Sequence, residues 1–437
     1  MDVTRRVALK WAGGLALSAG ALSSLIEACG GGTSTSTSSA KKVTSGTVRW
    51  RTDVSYVISD QKVLDAGKVD LPKLVVESSP VDYTAAGFTA MRLSIQSRLT
   101  DLLVAKSPKF LFLDPLLKSK LLRPLDDYYE AYNWKHYLNQ PSTKHATRDG
   151  HIWMATTYLE LPGLTYRKST LSKLGLQPPQ TWADFLMTLQ ELKGPGQIPI
   201  TVGTRGFSFL MLLHNQLWSG IDPKSIEQVI FGSGKWTDPA PVAAAGAMVE
   251  LWDKGYIDKD ALSIQLGDAA ERFLAGKAAL NVTGSWFYAT MKKQLGDDWD
   301  MLTPPGPGGK PTWSVGEDQG MVIPANAKDA DAAAAWLNYM VTGNGVKALQ
   351  DAGNLVASNA FSGQAIPQVA HLPTTTSTSS VYLFGWLPTA TEDAWQQGVS
   401  SLFDKTQTPA QWCAQVQKAW EKDIANGNVP SNRGQLL

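Results

Sequence analysis

Between Thr47 and Leu122 the chain alternates short apolar runs with segments of helical spacing, and this alternation limits the possible folds more than any other feature. Thr47-Val48-Arg49-Trp50-Arg51 has period two and predicts an opening strand. Leu74-Val75-Val76-Glu77-Ser78 predicts a second. Thr84 to Lys106 carries Phe88, Met91, Leu93, Ile95, Leu99, Leu102 and Leu103 at helical spacing and predicts a helix. Phe110-Leu111-Phe112-Leu113 is a continuous apolar run of strand length, as a parallel strand covered on both faces would be. Leu116, Leu117, Leu121 and Leu122 predict the helix that follows it. Strand, helix, strand, helix is the pattern of an α/β chain whose mainly parallel sheet is flanked by helices.

Similar signals continue downstream. Trp153 to Tyr166 is extended, and a short helix follows, ended by Gly175. Thr181, with Asp184 three residues on, has the spacing of a helix N-cap close to a capping box. Ile198 to Val202 reads as a strand, and Phe207 to Leu217 and Pro241 to Lys254 as helices, the second with Val242, Met248, Val249 and Trp252 on one face. Phe273 to Phe287 reads as a helix end, a Gly turn, a strand, and then Gly284-Ser285-Trp286. Asp300 to Pro305 and Gln319 to Pro324 predict two further strands. Asp331 to Met340, Gly345 to Ala352 and Pro409 to Ala425 predict helices.

The N-terminus speaks to destination. Thr4-Arg5-Arg6-Val7-Ala8-Leu9-Lys10 precedes an apolar run from Trp11 to Ile26, too short and too Gly-rich to span a bilayer, which takes about 20 apolar residues. Arg5 and Arg6 with Leu9 and Lys10 resemble a twin-arginine (Tat) export signal, although Ala8 stands where an aromatic is usual, so Sec export stays open. Ile26-Glu27-Ala28-Cys29 looks like a bacterial lipobox in which Cys29 becomes the lipidated first residue. Glu27 departs from the usual small residue, and the alternative is a free cysteine in a discarded leader. The Gly/Ser/Thr/Lys tract from Gly30 to Ser45 has no apolar face and reads as a flexible tether. These signals predict residues 1–28 as a signal peptide and 29–46 as the lipidated cysteine and linker, with a protein exported to the outer face of the cell membrane or the periplasm, according to envelope type.

Composition narrows the functional classes. The only other cysteine is Cys413, so with Cys29 lipidated no disulfide can form and a hydrophobic core must hold the fold. After the tether about 390 residues remain, enough for two lobes. Forty basic against thirty-nine acidic residues leaves a formal charge of +1, which argues against nucleic acid as a partner. Sixteen Trp exceed twelve Tyr and twelve Phe, an inversion of the usual order. Stacking surfaces for flat, polyhydroxylated ligands and a Trp-rich core both account for it.

Four blocks in this order resemble the extracellular solute-binding proteins of ABC importers, specifically the carbohydrate-binding family 1 group that includes maltose-binding proteins. They are Leu164-Thr165-Tyr166-Arg167-Lys168 through Gly175 to Pro179-Gln180-Thr181-Trp182-Ala183-Asp184-Phe185; Phe273 to Ala279 with Gly284-Ser285-Trp286; Pro304-Pro305-Gly306 with Gly316 and Gly320 to Pro324; and Ala332 to Met340 with the Gly353 to Ala357 turn. The resemblance runs from about Val48 to the C-terminus and implies a two-lobed, periplasmic-binding-protein-like α/β fold (type II) with hinge crossings between lobes. The implied lobes are 47–158 with 318–362, and 159–317 with 363–437. It implies a monomeric receptor that captures a sugar or oligosaccharide, without cofactor or metal, and hands it to the permease subunits of an ABC transporter.

Within that implied fold, strand ends and crossings nominate the ligand contacts, since open α/β sheets hold ligands at the carboxyl ends of their strands. Trp286 ends a strand where relatives stack a sugar on an aromatic; the alternative is core packing. Glu160 lies in the first crossing segment as a hydroxyl acceptor or a solvated carboxylate. Glu317 and Asp318 flank the second crossing as cleft acceptors or a charged loop tip. Asp114 ends an apolar run as a cleft residue or an N-cap. Trp386 in Tyr382-Leu383-Phe384-Gly385-Trp386 resembles a second stacking aromatic. Arg51, Asp53, Arg205 and Phe209 follow strand ends and complete the candidates.

Three other functions compete. No G-x-S-x-G, H-E-x-x-H, P-loop or CxxC appears, and no motif pairs two carboxylates as a glycoside-active enzyme needs. Five scattered His offer no clustered metal ligands. A non-sugar solute, such as a polyamine or glycerophosphodiester, remains the alternative ligand; a phosphate would favour Arg and helix N-termini in the cleft.

Overall fold

Strand β1, Gly46–Asp53, lies parallel to β2, Leu74–Val81, in an unbroken eight-residue register from Gly46↔Leu74 to Asp53↔Val81. On its other side β1 pairs with β3, Leu102–Ala105, again in parallel. The structure, a computed structural model, describes residues 40–53, 56–81, 85–105, 113–138, 143, 146–194, 196–205, 208–360, 379–429 and 433–435. Arg5, Arg6 and Cys29 lie outside them, and Asp53, Asp114, Glu317 and Asp318 are described by their backbone alone.

The crossovers between these first strands are the helices Val57–Asp70 and Ala85–Gln96. The second corrects the helix expected over 84–106. It stops at Gln96, Arg98 takes a left-handed φ of 56°, and Leu102–Ala105 form β3, all four buried. Periodicity could not separate the two because a short run buried on both faces carries no alternation. The run at 110–113 lies mostly outside the described residues, and Leu113 opens the helix Leu113–Lys118. That helix ends before Leu121 and Leu122, where Lys120 has φ 53°, and Leu122 instead bridges Pro324.

Further on, β4 (Thr147–Arg148) and β5 (His151–Ile152) form a small hairpin whose Asp149-Gly150 turn has both φ angles positive, the arrangement that suits a two-residue hairpin loop. The chain continues through β6 (Ala155–Glu160), β7 (Pro162–Tyr166), β8 (Ile198–Thr201), β9 (Ala278–Gly284), β10 (Asp300–Leu302), β11 (Trp313–Val322), β12 (Leu355–Val356) and β13 (Ser379–Val381). Two sheets result. The larger has the order β12-β6-β11-β3-β1-β2, with β13 on β11; the smaller has the order β10-β7-β9-β8. The larger sheet is mixed rather than mainly parallel, because β11 runs antiparallel to both β3 and β6. In the smaller sheet β7 is antiparallel to β9 and β10, and only β8 and β9 are parallel. The expected strand 319–324 is thus the second half of a ten-residue strand that begins at Trp313.

Each sheet has its own core. The larger-sheet core draws on Val48 to Tyr158 and Met321 to Ala357, the smaller-sheet core on Leu164 to Leu302 and Tyr382 to Trp420. A third cluster contains Leu161, Phe273, Tyr288, Met291, Trp299, Met301 and Trp313, and so includes a residue from each of two crossings. In the helix Pro239–Asp253 the buried face is Ala244, Ala245, Ala247, Met248 and Leu251, while Val242, Val249 and Trp252 are half-buried. Small side chains let this helix sit close to the helices Leu210–Ile221 and Pro409–Ala425, so bulk was a poor guide to its inner face. Among the described residues nine Trp are fully buried: Trp50, Trp134, Trp218, Trp236, Trp299, Trp336, Trp395, Trp412 and Trp420. The Trp surplus therefore goes mainly to the cores. Cys413 is among their residues, and burial pushes its thiol up to about 12.

Candidate ligand-binding site at the crossings

Helix Leu266–Leu274 ends, Gly276 turns the chain at φ 73°, and β9 runs through the smaller sheet with all seven residues buried. At its end Ser285–Phe287 make a single 3-10 turn. Trp286 on that turn is half-buried and packs against both sheet cores. The other half-buried Trp do not: Trp182, Trp252 and Trp386 pack on the smaller-sheet core, and Trp153 on the larger. The edge of Trp286 meets Phe209, with centroids 5.8 Å apart at 74°. Its six-membered ring lies over Gly284, where any Cβ would collide with it. Gly284 has an extended φ of −162°, so the glycine serves the ring and not the backbone.

One residue away is the first crossing. β6 belongs to the larger sheet and β7 to the smaller, with only Leu161 between them. Glu160, the last residue of β6, is buried and accepts from the Tyr56 hydroxyl at 3.0 Å. Tyr56 stacks on Tyr158 at 4.6 Å, and the Tyr158 hydroxyl donates to the buried Asp60 at 2.7 Å. Ser285 holds Leu161 from the other side: Leu161 N–H donates to Ser285 Oγ at 3.1 Å, and Ser285 N–H donates to Leu161 O at 2.9 Å.

The second crossing is β11 itself. Its pairing with β6 slips between Gly316 and Gln319 and again between Gln319 and Gly320, so Glu317 and Asp318 occupy an irregular stretch inside a strand. Tyr382 covers Gly316, and Trp313 covers Gly163 at the start of β7. The third connection returns as β13, parallel to β11. Asn215 ties these together. Its Nδ2 donates to Ser314 Oγ and to Val381 O, both at 3.2 Å, and its Oδ1 accepts from Leu383 N–H at 3.0 Å.

Two sheets with separate cores, joined by three adjacent crossings around a half-buried indole, are the frame of a two-lobed binding protein. The family profile described as bacterial extracellular solute-binding protein matches residues 73–343, more than half of the chain. The chain belongs to that family. Its members are extracellular, so this solute-binding protein is exported. An uncharacterized ABC transporter extracellular-binding protein of Pyrococcus horikoshii is 32% identical over 32% of this chain and 34% of its own. The multiple sugar-binding protein of Streptococcus mutans is 22% identical over 51% of this chain and 56% of its own. The alignments therefore span between a third and just over half of these curated relatives. Among solved structures, a chitin oligosaccharide binding protein superposes with a TM-score of 0.73 at 20% identity, covering 88% of this chain and all of that one.

The crossings of this solute-binding protein gather some of the candidate residues and leave others apart. Trp286 and Phe209 are in contact, and Glu160 is joined to them through Leu161 and Ser285. Glu317 and Asp318 share the crossing region by backbone position, opposite the end of β6. Trp386 instead stands edge-on to Phe231 at 4.7 Å. Arg51 lies on the half-buried face of β1, where its guanidinium donates to Thr100 at 3.4 Å and to Ser79. Burial, then the Arg49 charge beside it, lowers its pKa. Asp53 is the last residue of β1, Asp114 is inside the helix Leu113–Lys118, and Arg205 is exposed in the loop after β8. Tyr56, Asp60, Tyr158 and Ser285 were missed. Only Ser285 directly follows a strand; Tyr56 precedes and Asp60 lies in the helix Val57–Asp70, and Tyr158 is inside β6, so the sequence carries no shared signal for them.

Chemically, the arrangement offers an aromatic face and edge, a buried carboxylate and hydroxyl donors and acceptors. Among the described residues no group of three or more His, Cys, Asp or Glu is placed to hold a metal ion. No helix among them is long and apolar enough to cross a membrane.

Proposed function

We propose that this protein captures a sugar or oligosaccharide between its lobes and delivers it to the permease of an ABC importer, without catalysing a reaction. The observation that carries this reading is Trp286, a half-buried indole that packs on both cores and is joined through Ser285 and Leu161 to the segment of the buried Glu160. One face of a pyranose presents C–H groups that lie well on an aromatic ring, and the indole N–H is a donor. An ionised carboxylate accepts hydroxyl hydrogen bonds about twice as strong as a neutral acceptor would make. The names of the Streptococcus mutans relative and of the chitin oligosaccharide binding protein support a saccharide ligand. Asp53, Asp114, Glu317, Asp318, Arg205, Arg51 and Trp386 stay in this reading as further candidate contacts, to be tested by substitution. The lobes are 47–158 with 318–362 and 159–317 with 363–437, with the first boundary moved to Leu161 because β6 carries Leu159 and Glu160 in the larger sheet. The protein is a monomer held to the membrane by a lipid on Cys29, after export directed by Arg5 and Arg6. Function is differential affinity between open and closed lobes, with the permease reading the closed form.

A thermal-shift panel of mono- and oligosaccharides, polyols, polyamines and glycerophosphodiesters tests it. A ligand at 100 times its Kd adds about 2.7 kcal/mol of stability. A shift with one saccharide class is the expected result. Shifts with amines or phosphodiesters alone would replace the sugar and keep the receptor. Turnover of a glycoside by the purified protein would overturn the reading.

A further inference from the structure

The ladder between β7 and β9 runs from Tyr166↔Leu280 to Pro162↔Gly284. One step further, the smaller sheet has ended, and the residues facing each other are Leu161 and Ser285. Pro162 has no N–H, so the ladder loses a donor where the chain passes between sheets. Leu161 is the single residue between β6 and β7, and Ser285 takes both of its main-chain polar groups, one with its backbone N–H and one with its side-chain oxygen. Ser285 is buried, adjoins the indole that packs on both cores, and follows the glycine on which that indole lies. On the far side of Leu161, Glu160 is fixed to the larger-sheet lobe by Tyr56.

We propose that Ser285 is a positioning residue that couples the Trp286 ring to the first crossing, so that the orientation of the indole and the angle between lobes are set together. The Oγ contact is the part of this link that a side-chain change can remove, since the backbone bond needs no particular residue. A ligand that presses on the Trp286 ring displaces the 3-10 turn, and the turn carries Leu161 with it. The proposal rests on reading Trp286 as the ligand platform, but its test uses no ligand, so the two fail separately.

The experiment is a pulsed electron-spin distance measurement on the full chain without ligand. Cys29 is replaced by Ser, and spin labels are placed on V69C and M187C, positions 78% and 56% exposed in the larger-sheet and smaller-sheet lobes. The buried Cys413 stays unlabelled. Ser285→Ala is expected to shift the interlobe distance distribution or broaden it about twofold, and Ser285→Thr to restore it. A distribution unchanged in Ser285→Ala, even with a lowered melting temperature, would make the residue a fold-stabilising one and overturn the proposal. Ser285→Gly removes the same oxygen together with Cβ, so that no apolar methyl faces the Leu161 N–H, and serves if the Ala variant does not fold. Failure of both to fold would also overturn the proposal. The platform reading is tested apart from this, by saccharide titration of Trp286→Ala.

Discussion

Tyr56 and Glu160 are 104 residues apart in the chain and meet through one 3.0 Å hydrogen bond at the last residue before the chain leaves the larger sheet. Tyr56→Phe removes the donor from a buried carboxylate oxygen. The expected loss is about 1–2 kcal/mol of stability, read from urea unfolding. Glu160→Gln keeps the shape and weakens the acceptor, so ligand affinity should fall roughly fivefold, or about 1 kcal/mol, by titration calorimetry. Equal affinity in wild type and Glu160→Gln would remove Glu160 from the site.

Gly284 and Trp286 should behave as one unit. Trp286→Ala is expected to cost at least about 1 kcal/mol of ligand affinity while the protein still folds. Gly284→Ala adds one methyl under the ring at an extended φ that alanine adopts freely, so its effect should come from the displaced indole. Both variants should lose affinity and keep the wild-type circular dichroism spectrum. Full affinity in Gly284→Ala would show that the ring's seat on the glycine does not matter to binding.

His214 should make the protein acid-sensitive. It is fully buried among Trp218, Trp236, Trp395 and Trp412, accepts from Trp395 Nε1 at 3.2 Å, and donates through Nε2 to Pro241 O at 3.0 Å. Burial lowers its pKa from 6.5 to about 4. The unfolded chain takes up this proton below pH 6.5 while the folded one does not, so stability falls as pH drops through that window and levels off below about 4. The full effect is about 3 kcal/mol. His214→Gln should be less stable at pH 7 yet show a flatter decline between pH 6.5 and 4. Parallel profiles for the two proteins would assign the acid loss to other groups.

Thr181 provides a control away from the crossings. Its hydroxyl caps Asp184 N–H at 3.1 Å, and the Asp184 carboxylate accepts from Thr181 N–H at 3.0 Å. Thr181→Ala should cost about 1 kcal/mol of stability and leave ligand affinity unchanged. A change in affinity would tie this helix to the cleft.

What could be read from the sequence was local. The Thr181 cap, the Gly276 turn before β9 and the helix Pro409–Ala425 depend on neighbours a few residues apart, and each was visible. The position of Trp286 at a strand end was visible for the same reason, and that of Glu160 beside a crossing came from the family resemblance. Leu102–Ala105 was not, because four buried apolar residues fit a helix or a strand equally well. Nor was the network of Tyr56, Asp60, Tyr158 and Glu160, whose members meet only after β1, its following helix and β6 have come together. The Trp count left ligand stacking and a Trp-rich core both open, and nine of the described Trp side chains fill cores, since a large ring is as useful for volume as for a flat face.

β11 is an interior strand of the larger sheet, bordered by β3 and β6, yet the chain makes it only after β7, β8, β9 and β10. A chain emerging N-terminus first holds β1 to β3 and β6 as separate pieces with open edges until that strand arrives. The larger-sheet lobe therefore waits for its interior strand, and its completion depends on pairings distant in sequence, which form slowly. Refolding should accordingly pass through a transient species in which the unpaired edges of β3 and β6 are exposed to other chains.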